Sequence, residues 1–165
     1  MSATATRIRQ TGKRRLSEPE LRAWRAFLRS HAMISRSLDR DLEDAGLSLA
    51  GYGVLLMLSE APEARLRLHE VAEQIGLTKS GLSRLIDRLE ARGFVERHAC
   101  ELDKRGQYAA VTASGRRAFR RAAPRHLAQI ASQFADHLGP AELAILTPAL
   151  ERIAKANAGP AACDR

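Results

Sequence analysis

Between Thr78 and Arg105 the chain carries side chains suited to touching a nucleic-acid duplex. Lys79, Ser80, Ser83, Arg84 and Arg88 fall on one side of a helical repeat. The other side is Leu82, Leu85, Ile86 and Leu89, at the i, i+3, i+4, i+7 spacing of a helix with one buried face. Hydroxyl and guanidinium groups near the start of such a helix can hydrogen-bond base edges in a major groove, and cations beside them can neutralise phosphates. Thr78 suits the N-cap position. Lys79, Ser80 and Gly81 then form the first turn, where small side chains allow close approach to the groove floor. A second basic cluster, Asp103-Lys104-Arg105, lies in the Glu101-to-Gly106 connection between two strand-like runs. An arginine on such a tip can enter the narrow, negative minor groove. Arg65, Arg67 and His69 stand just ahead of the helical pair and are candidates for backbone contacts. An ordinary helical hairpin with a solvated charged face would use many of the same residues, but it gives the charged tip no packing role.

The elements that must position these groups are legible around them. Leu68 to Ile75 reads as a short helix with Leu68, Val71, Ala72 and Ile75 inward, closed by Gly76. The second helix opens at Thr78 and stops at Gly93. Phe94 to Cys100 and Gln107 to Thr112 read as the two strands of a hairpin. Helix, turn, helix and hairpin make a winged helix-turn-helix. The expected fold class is mainly α with a small α+β winged unit.

Ser17-Glu18-Pro19-Glu20 has the capping-box pattern and should open a helix through Trp24, Phe27, Leu28, Ile34, Leu38 and Leu42 to about Gly46. Ser48 should open another, through Tyr52, Leu55, Leu56 and Leu58. Thr112 to Gly115 should cap a long helix to about Leu138, and Pro140 suits the first position of a last helix with Leu143, Leu146, Leu150 and Ile153 on one face. The terminal helices are amphipathic and have no sheet to cover, so they predict a homodimer whose two-fold axis suits palindromic DNA. The expected layout is a basic disordered arm over residues 1–16, dimerisation helices over 17–47 and 114–156, the DNA-binding unit over 48–113 and a tail over 157–165.

The formal net charge of +8 favours a polyanionic partner. Arg7, Arg9, Lys13, Arg14 and Arg15 form an acid-free run that would suit either an arm along phosphates or a solubilising tail. Arg116, Arg117, Arg120, Arg121 and Arg125 form a second acid-free run. Cys100 and Cys163 are too few for a disulfide framework. Met1 to Thr11 has no apolar leader core, and no run reaches the roughly 18 apolar residues of a membrane span, so a cytoplasmic protein is expected. His98 and Cys100 share a strand face but lack the further ligands of a stable zinc site, and His126 and His137 are too far apart along a helix to share one ion. Neither a metal nor a cofactor is expected. The sequence has no phosphate-binding glycine loop and no nucleophile elbow, so an enzyme is the least favoured class. The alternative to a sequence-specific regulator is a sequence-tolerant architectural DNA binder, which the basic arm would equally suit.

From about Ser17 to Lys155 the chain resembles the MarR (multiple-antibiotic-resistance) regulators. The resemblance rests on Asp103-Lys104-Arg105 followed by Val111-Thr112-Ala113-Ser114-Gly115, on Leu85 to Arg97, and on Leu55-Leu56-Met57-Leu58; Val111 replaces a common leucine. It implies an obligate homodimer, Arg105 in the minor groove, and Asp103 bracing the wing. It also implies a repressor on a pseudo-palindromic operator, released when a small anionic or aromatic effector enters between the dimerisation and DNA-binding parts. The effector candidates are Trp24, Phe27, His31, Tyr52 and Arg97, with Arg84 a further one. Ala123 to Leu127 is similar to the urate-responsive branch, although Gly53 stands where that branch has an acid.

Overall fold

The computed structural model describes residues 14–99 and 107–157. Helix α1 (Glu18–Glu43) begins at a reciprocal cap: the Glu20 carboxylate accepts from the Ser17 backbone N–H at 2.8 Å, and Ser17 Oγ accepts from the Glu20 N–H at 3.5 Å. Helix α2 (Leu49–Glu60) follows Ser48, whose hydroxyl accepts from Gly51 N at 3.0 Å. It is apolar around its circumference and buries Tyr52, Val54, Leu55 and Leu58, so it forms the centre of the core. A single 3-10 turn at Pro62–Ala64 leads into strand β1 (Arg65–Arg67) and helix α3 (Leu68–Ile75). Gly76, at φ 70°, takes the left-handed conformation that ends α3 without a Cβ penalty.

Helix α4 (Lys79–Ala91) buries Leu82, Leu85, Ile86 and Leu89 against that core. Burial of four such side chains contributes on the order of 6–12 kcal/mol, far above any propensity difference, so it decides which face of α4 points outward. Strands β2 (Val95–Ala99) and β3 (Gln107–Val111) pair antiparallel, with Val95 opposite Val111 and His98 opposite Tyr108. Strand β1 pairs with the other edge of β3, Arg65 opposite Ala110, giving the order β1-β3-β2. Helix α5 (Ala113–Gln133) then runs back past α2 and α1, and helix α6 (Pro140–Asn157) closes the described chain. Among the described residues no helix is long and apolar enough to cross a membrane.

At the ends next to α4 and α5 the strands leave out Phe94 and Thr112, which the apolar pattern includes, and the contacts there give the cause. Thr112 is the N-cap of α5: its hydroxyl donates to the Gly93 carbonyl at 2.6 Å while accepting from Gly115 N at 3.0 Å. The Phe94 carbonyl accepts from Thr112 N at 3.1 Å, which ties the start of the hairpin to the start of α5. A Cβ on Gly115 would stand 2.1 Å from that carbonyl oxygen. Strand β1 was not foreseen, because three residues are too few to show a period. The long helix expected to reach Leu138 ends at Gln133 and gives way to a 3-10 turn, Ala135–His137. Phe134, at φ −133° and ψ −61°, leaves the helical conformation; Pro140 restricts only Gly139 before it and does not set this end.

One polar residue lies within the packed layer. His126 is buried, its ring centroid 4.2 Å from that of Tyr52, and its Nδ1 has no hydrogen-bond partner among the described residues. Its neighbour Arg125 instead binds Asp44 at 2.7 Å and Asp41 at 3.3 Å, fastening α5 to the end of α1.

Two outcomes follow. Gly115→Ala should lower unfolding free energy by about 1–3 kcal/mol in denaturant titration, because the new methyl group meets backbone that cannot yield. Burial pushes the pKa of His126 down, with Asp41 opposing. The unfolded chain therefore takes up this proton first, and its contribution to stability is full above the ordinary value of 6.5 and is lost as pH falls below it. The thermal midpoint should drop as pH falls below about 6.5, and His126→Phe should flatten that drop; an unchanged slope would remove His126 as its source.

Candidate nucleic-acid interface

The outward face of α4 presents the sequence-predicted set together. Lys79, Ser80, Ser83, Arg84 and Arg88 are all exposed, as is the cap residue Thr78. Thr78 Oγ1 accepts from Gly81 N at 3.1 Å and lies 3.3 Å from Ser80 Oγ, so the first turn is held by its own hydroxyls. Arg84 Nε donates to the Ser80 carbonyl at 3.3 Å, which lays the side chain along the helix. Its terminal nitrogens have no partner among the described residues, and Lys79 and Arg88 form no ion pair there.

The two acids on this helix are matched from the sheet. Arg97, on β2, pairs with both Asp87 and Glu90 and also donates to the Ser83 carbonyl at 3.3 Å. Its backbone N–H donates to Glu90 at 3.3 Å, and its side chain is only 20% exposed. Arg97 therefore neutralises the acids that would repel a phosphate backbone and fixes α4 against the hairpin. The acid pair at i, i+3 facing a basic strand residue is a signal the sequence held, but the contact needs the fold to be seen.

Arg65 and Arg67 project from β1 over the ring of Tyr108, at 5.3 and 5.5 Å from its centroid. Arg65 also pairs with Glu63, and Arg67 Nε donates to the Tyr108 hydroxyl at 3.1 Å. Tyr108 was not singled out from sequence, although it is an aromatic residue on a strand face opposite two arginines. His69 is exposed in the first turn of α3. Asp103, Lys104 and Arg105 lie outside the described residues, as do Cys100 and the arm arginines Arg7 and Arg9 and Lys13. Among the described residues no three His, Cys, Asp or Glu groups could hold one metal ion.

Comparison with known proteins accords with this geometry. The profile of the MarR family matches residues 45–106, from the turn before α2 to the end of the hairpin connection. AbsC, a MarR family transcriptional regulator from Streptomyces coelicolor, is 36% identical over 87% of this chain and 97% of its own, with a TM-score of 0.79. A second MarR family regulator of that organism, solved in complex with DNA, is 35% identical over 89% of this chain and 92% of its own, with a TM-score of 0.83. The chain belongs to the MarR family of DNA-binding transcriptional regulators. Further off, CouR from Rhodococcus jostii RHA1, solved bound to p-coumaroyl-CoA, is 29% identical, covers 78% of this chain and 89% of its own, and has a TM-score of 0.69.

Within this MarR chain the five effector candidates do not meet in one pocket. Trp24, Phe27 and His31 form a row on α1, with centroids 5.9 and 6.1 Å apart in turn. Phe27 and His31 line a cavity of about 670 Å³ between α1 and the α5–α6 region, with Phe134, His137 and Leu150 on its far side. Tyr52 is buried between Phe119 and His126 instead, and Arg97 is held by α4. Gly53 has open space where a Cβ would be.

Arg97→Met should weaken duplex binding by about 1–2 kcal/mol through loss of partly buried ion pairs, without changing self-association in sedimentation. Unaltered affinity would mean that α4 keeps its orientation without this brace.

Proposed function

We propose that the chain is a homodimeric repressor on a pseudo-palindromic operator, released by a small anionic or aromatic effector. The observation that carries the dimer is the apolar surface on its terminal helices. Helix α6 buries none of its residues within the chain, and Ile145 is 74% exposed and Ile153 59%. Trp24, Phe27, Leu28 and Met33 are exposed along α1, with Leu127 on α5 and Phe134 just past its end. Surface of this kind on one molecule is the mark of an interface. A two-fold dimer of residues 17–47 and 114–156 would carry two copies of the 48–113 unit, each with an α4 for one half-site.

In this reading Ser80, Ser83 and Arg84 contact base edges, with Thr78 holding the turn that presents them. Lys79, Arg88, Arg65, Arg67 and His69 take phosphates or flanking bases. At the wing, Arg105 enters the minor groove beside Lys104, and Asp103 braces it. A dimer seated in this way blocks access to its own operator, which makes repression the simplest outcome. The stacked row Trp24, Phe27 and His31 is the part of the effector set that remains open to a ligand, and the CoA thioester bound by CouR supports a small-molecule effector. Tyr52 and Arg97 would then act through the elements they brace.

Sedimentation velocity tests the dimer: the wild type should sediment as a dimer and bind one operator per dimer, and a monomeric wild type would overturn the two-fold model. Ile145→Asp should shift the protein toward monomer with little loss of fold, because the side chain is already exposed within one chain. Arg84→Ala and Arg105→Ala should each cost about 1–3 kcal/mol in operator affinity with the dimer intact.

A further inference from the structure

Helix α5 carries four arginines that the reading above leaves unused. Arg116 and Arg120 stand one turn apart, as do Arg117 and Arg121, in two adjacent rows on one side of the helix. Arg117, Arg120 and Arg121 are exposed, and Arg116 is half-buried. Among the described residues none of the four pairs with an acid, and the single side-chain hydrogen bond they donate is Arg120 Nε to the Arg116 carbonyl, at 3.4 Å. Arg125, one turn further on, is by contrast matched by both Asp41 and Asp44.

Such an arrangement is unfavourable in the chain alone. Like charges one turn apart repel by a few tenths of a kcal/mol per pair, and Arg116 lies at the N-terminal end of a helix, where the dipole favours an anion over a cation. Both costs are relieved by a continuous polyanion laid across the face. The stripe is also continuous with the winged unit. Arg116 lines a groove with Arg65 and His98 on the solvent face of the sheet. Of the acids in that groove, Glu63 pairs with Arg65, and Glu96 stands 3.2 Å from His98 Nε2; neither pairs with Arg116 among the described residues.

We propose that Arg116, Arg117, Arg120 and Arg121 form a second DNA-contacting surface, which binds the phosphate backbone of duplex outside the base pairs read by α4. The proposal rests on the duplex-binding function above and adds to it a footprint longer than the operator half-sites. The occupant is duplex rather than an acidic protein because the groove joins the stripe to Arg65, which the proposed function places on phosphates.

The test compares two duplexes from the gene's own upstream region. One is the shortest that still binds specifically, and the other extends it by about one helical turn on each side. By fluorescence anisotropy the wild type should bind the longer duplex at least tenfold more tightly and with a steeper salt dependence, each arginine–phosphate contact adding about 0.9 to the slope. The variant with all four arginines changed to glutamine should bind the short duplex as the wild type does and lose the gain on the long one. Changing the same four to lysine should restore much of it, and circular dichroism should report the same helix content throughout. A wild type indifferent to duplex length, or a glutamine variant that keeps the gain, overturns the proposal, and the latter assigns the stripe to another anion such as an acidic protein surface. If no duplex from the upstream region binds the wild type specifically at any length, the duplex-binding reading itself is overturned.

Discussion

The rest of the molecule depends on the burial of one face of α4. Leu82, Leu85, Ile86 and Leu89 enter the same cluster as Val54, Leu55 and Leu58 of α2 and Val71 of α3, so α4 cannot roll without exposing apolar surface. Its polar face is therefore presented outward by default. The first turn then needs only the Thr78 cap to set its geometry, and the acids behind it need only Arg97. Reading chemistry is the residue of a packing decision: whatever is not buried on α4 becomes the surface offered to a groove.

A second constraint passes this orientation to the remainder of the chain. Thr112 joins three parts at once, donating to the Gly93 carbonyl that follows α4, taking the start of the hairpin through Phe94, and capping α5 through Gly115 N. A movement of α5 is thereby felt at the base of the hairpin and the end of α4. Arg125 holds α5 to Asp41 of α1 and to Asp44 just beyond it, and Arg92, at the end of α4, donates to the Gly46 carbonyl at 2.7 Å. The helices proposed to pair in the dimer are thus fastened to the end of the helix proposed to read DNA, α5 through Thr112 and the segment after α1 through Arg92. A ligand that shifted α1 would have a mechanical route to α4.

Much of this was legible in the sequence where local chemistry decides the outcome. The caps at Ser17, Ser48, Thr78 and Thr112, the stop at Gly76 and the buried face of α4 all fall where residue types and spacing put them. Features that depend on partners distant in sequence were less legible. Strand β1 exists because β3 offers it an edge, and three residues, Arg-Leu-Arg, carry no period of their own. Arg97 and Tyr52 have side chains suited to a ligand, but the fold commits one to α4 and the other to the core. Phe134 leaves the helical conformation and a 3-10 turn follows it, so the expected reach to Leu138 was too long. Ile145 falls off the Leu143, Leu146, Leu150 stripe and is nonetheless the most exposed large apolar residue among those described, which shows apolar surface on more than one side of α6.

The central claim is that α4 and its flanks read a particular sequence instead of any duplex. Fluorescence anisotropy of the wild-type protein with duplex from the gene's own upstream region, against a scrambled duplex of the same length and composition at two salt concentrations, tests it most directly. The account predicts a preference of about a thousandfold or more for the upstream duplex that persists as salt rises. Equal binding to both duplexes, lost together at the higher salt, would contradict it and make the chain a sequence-tolerant architectural binder.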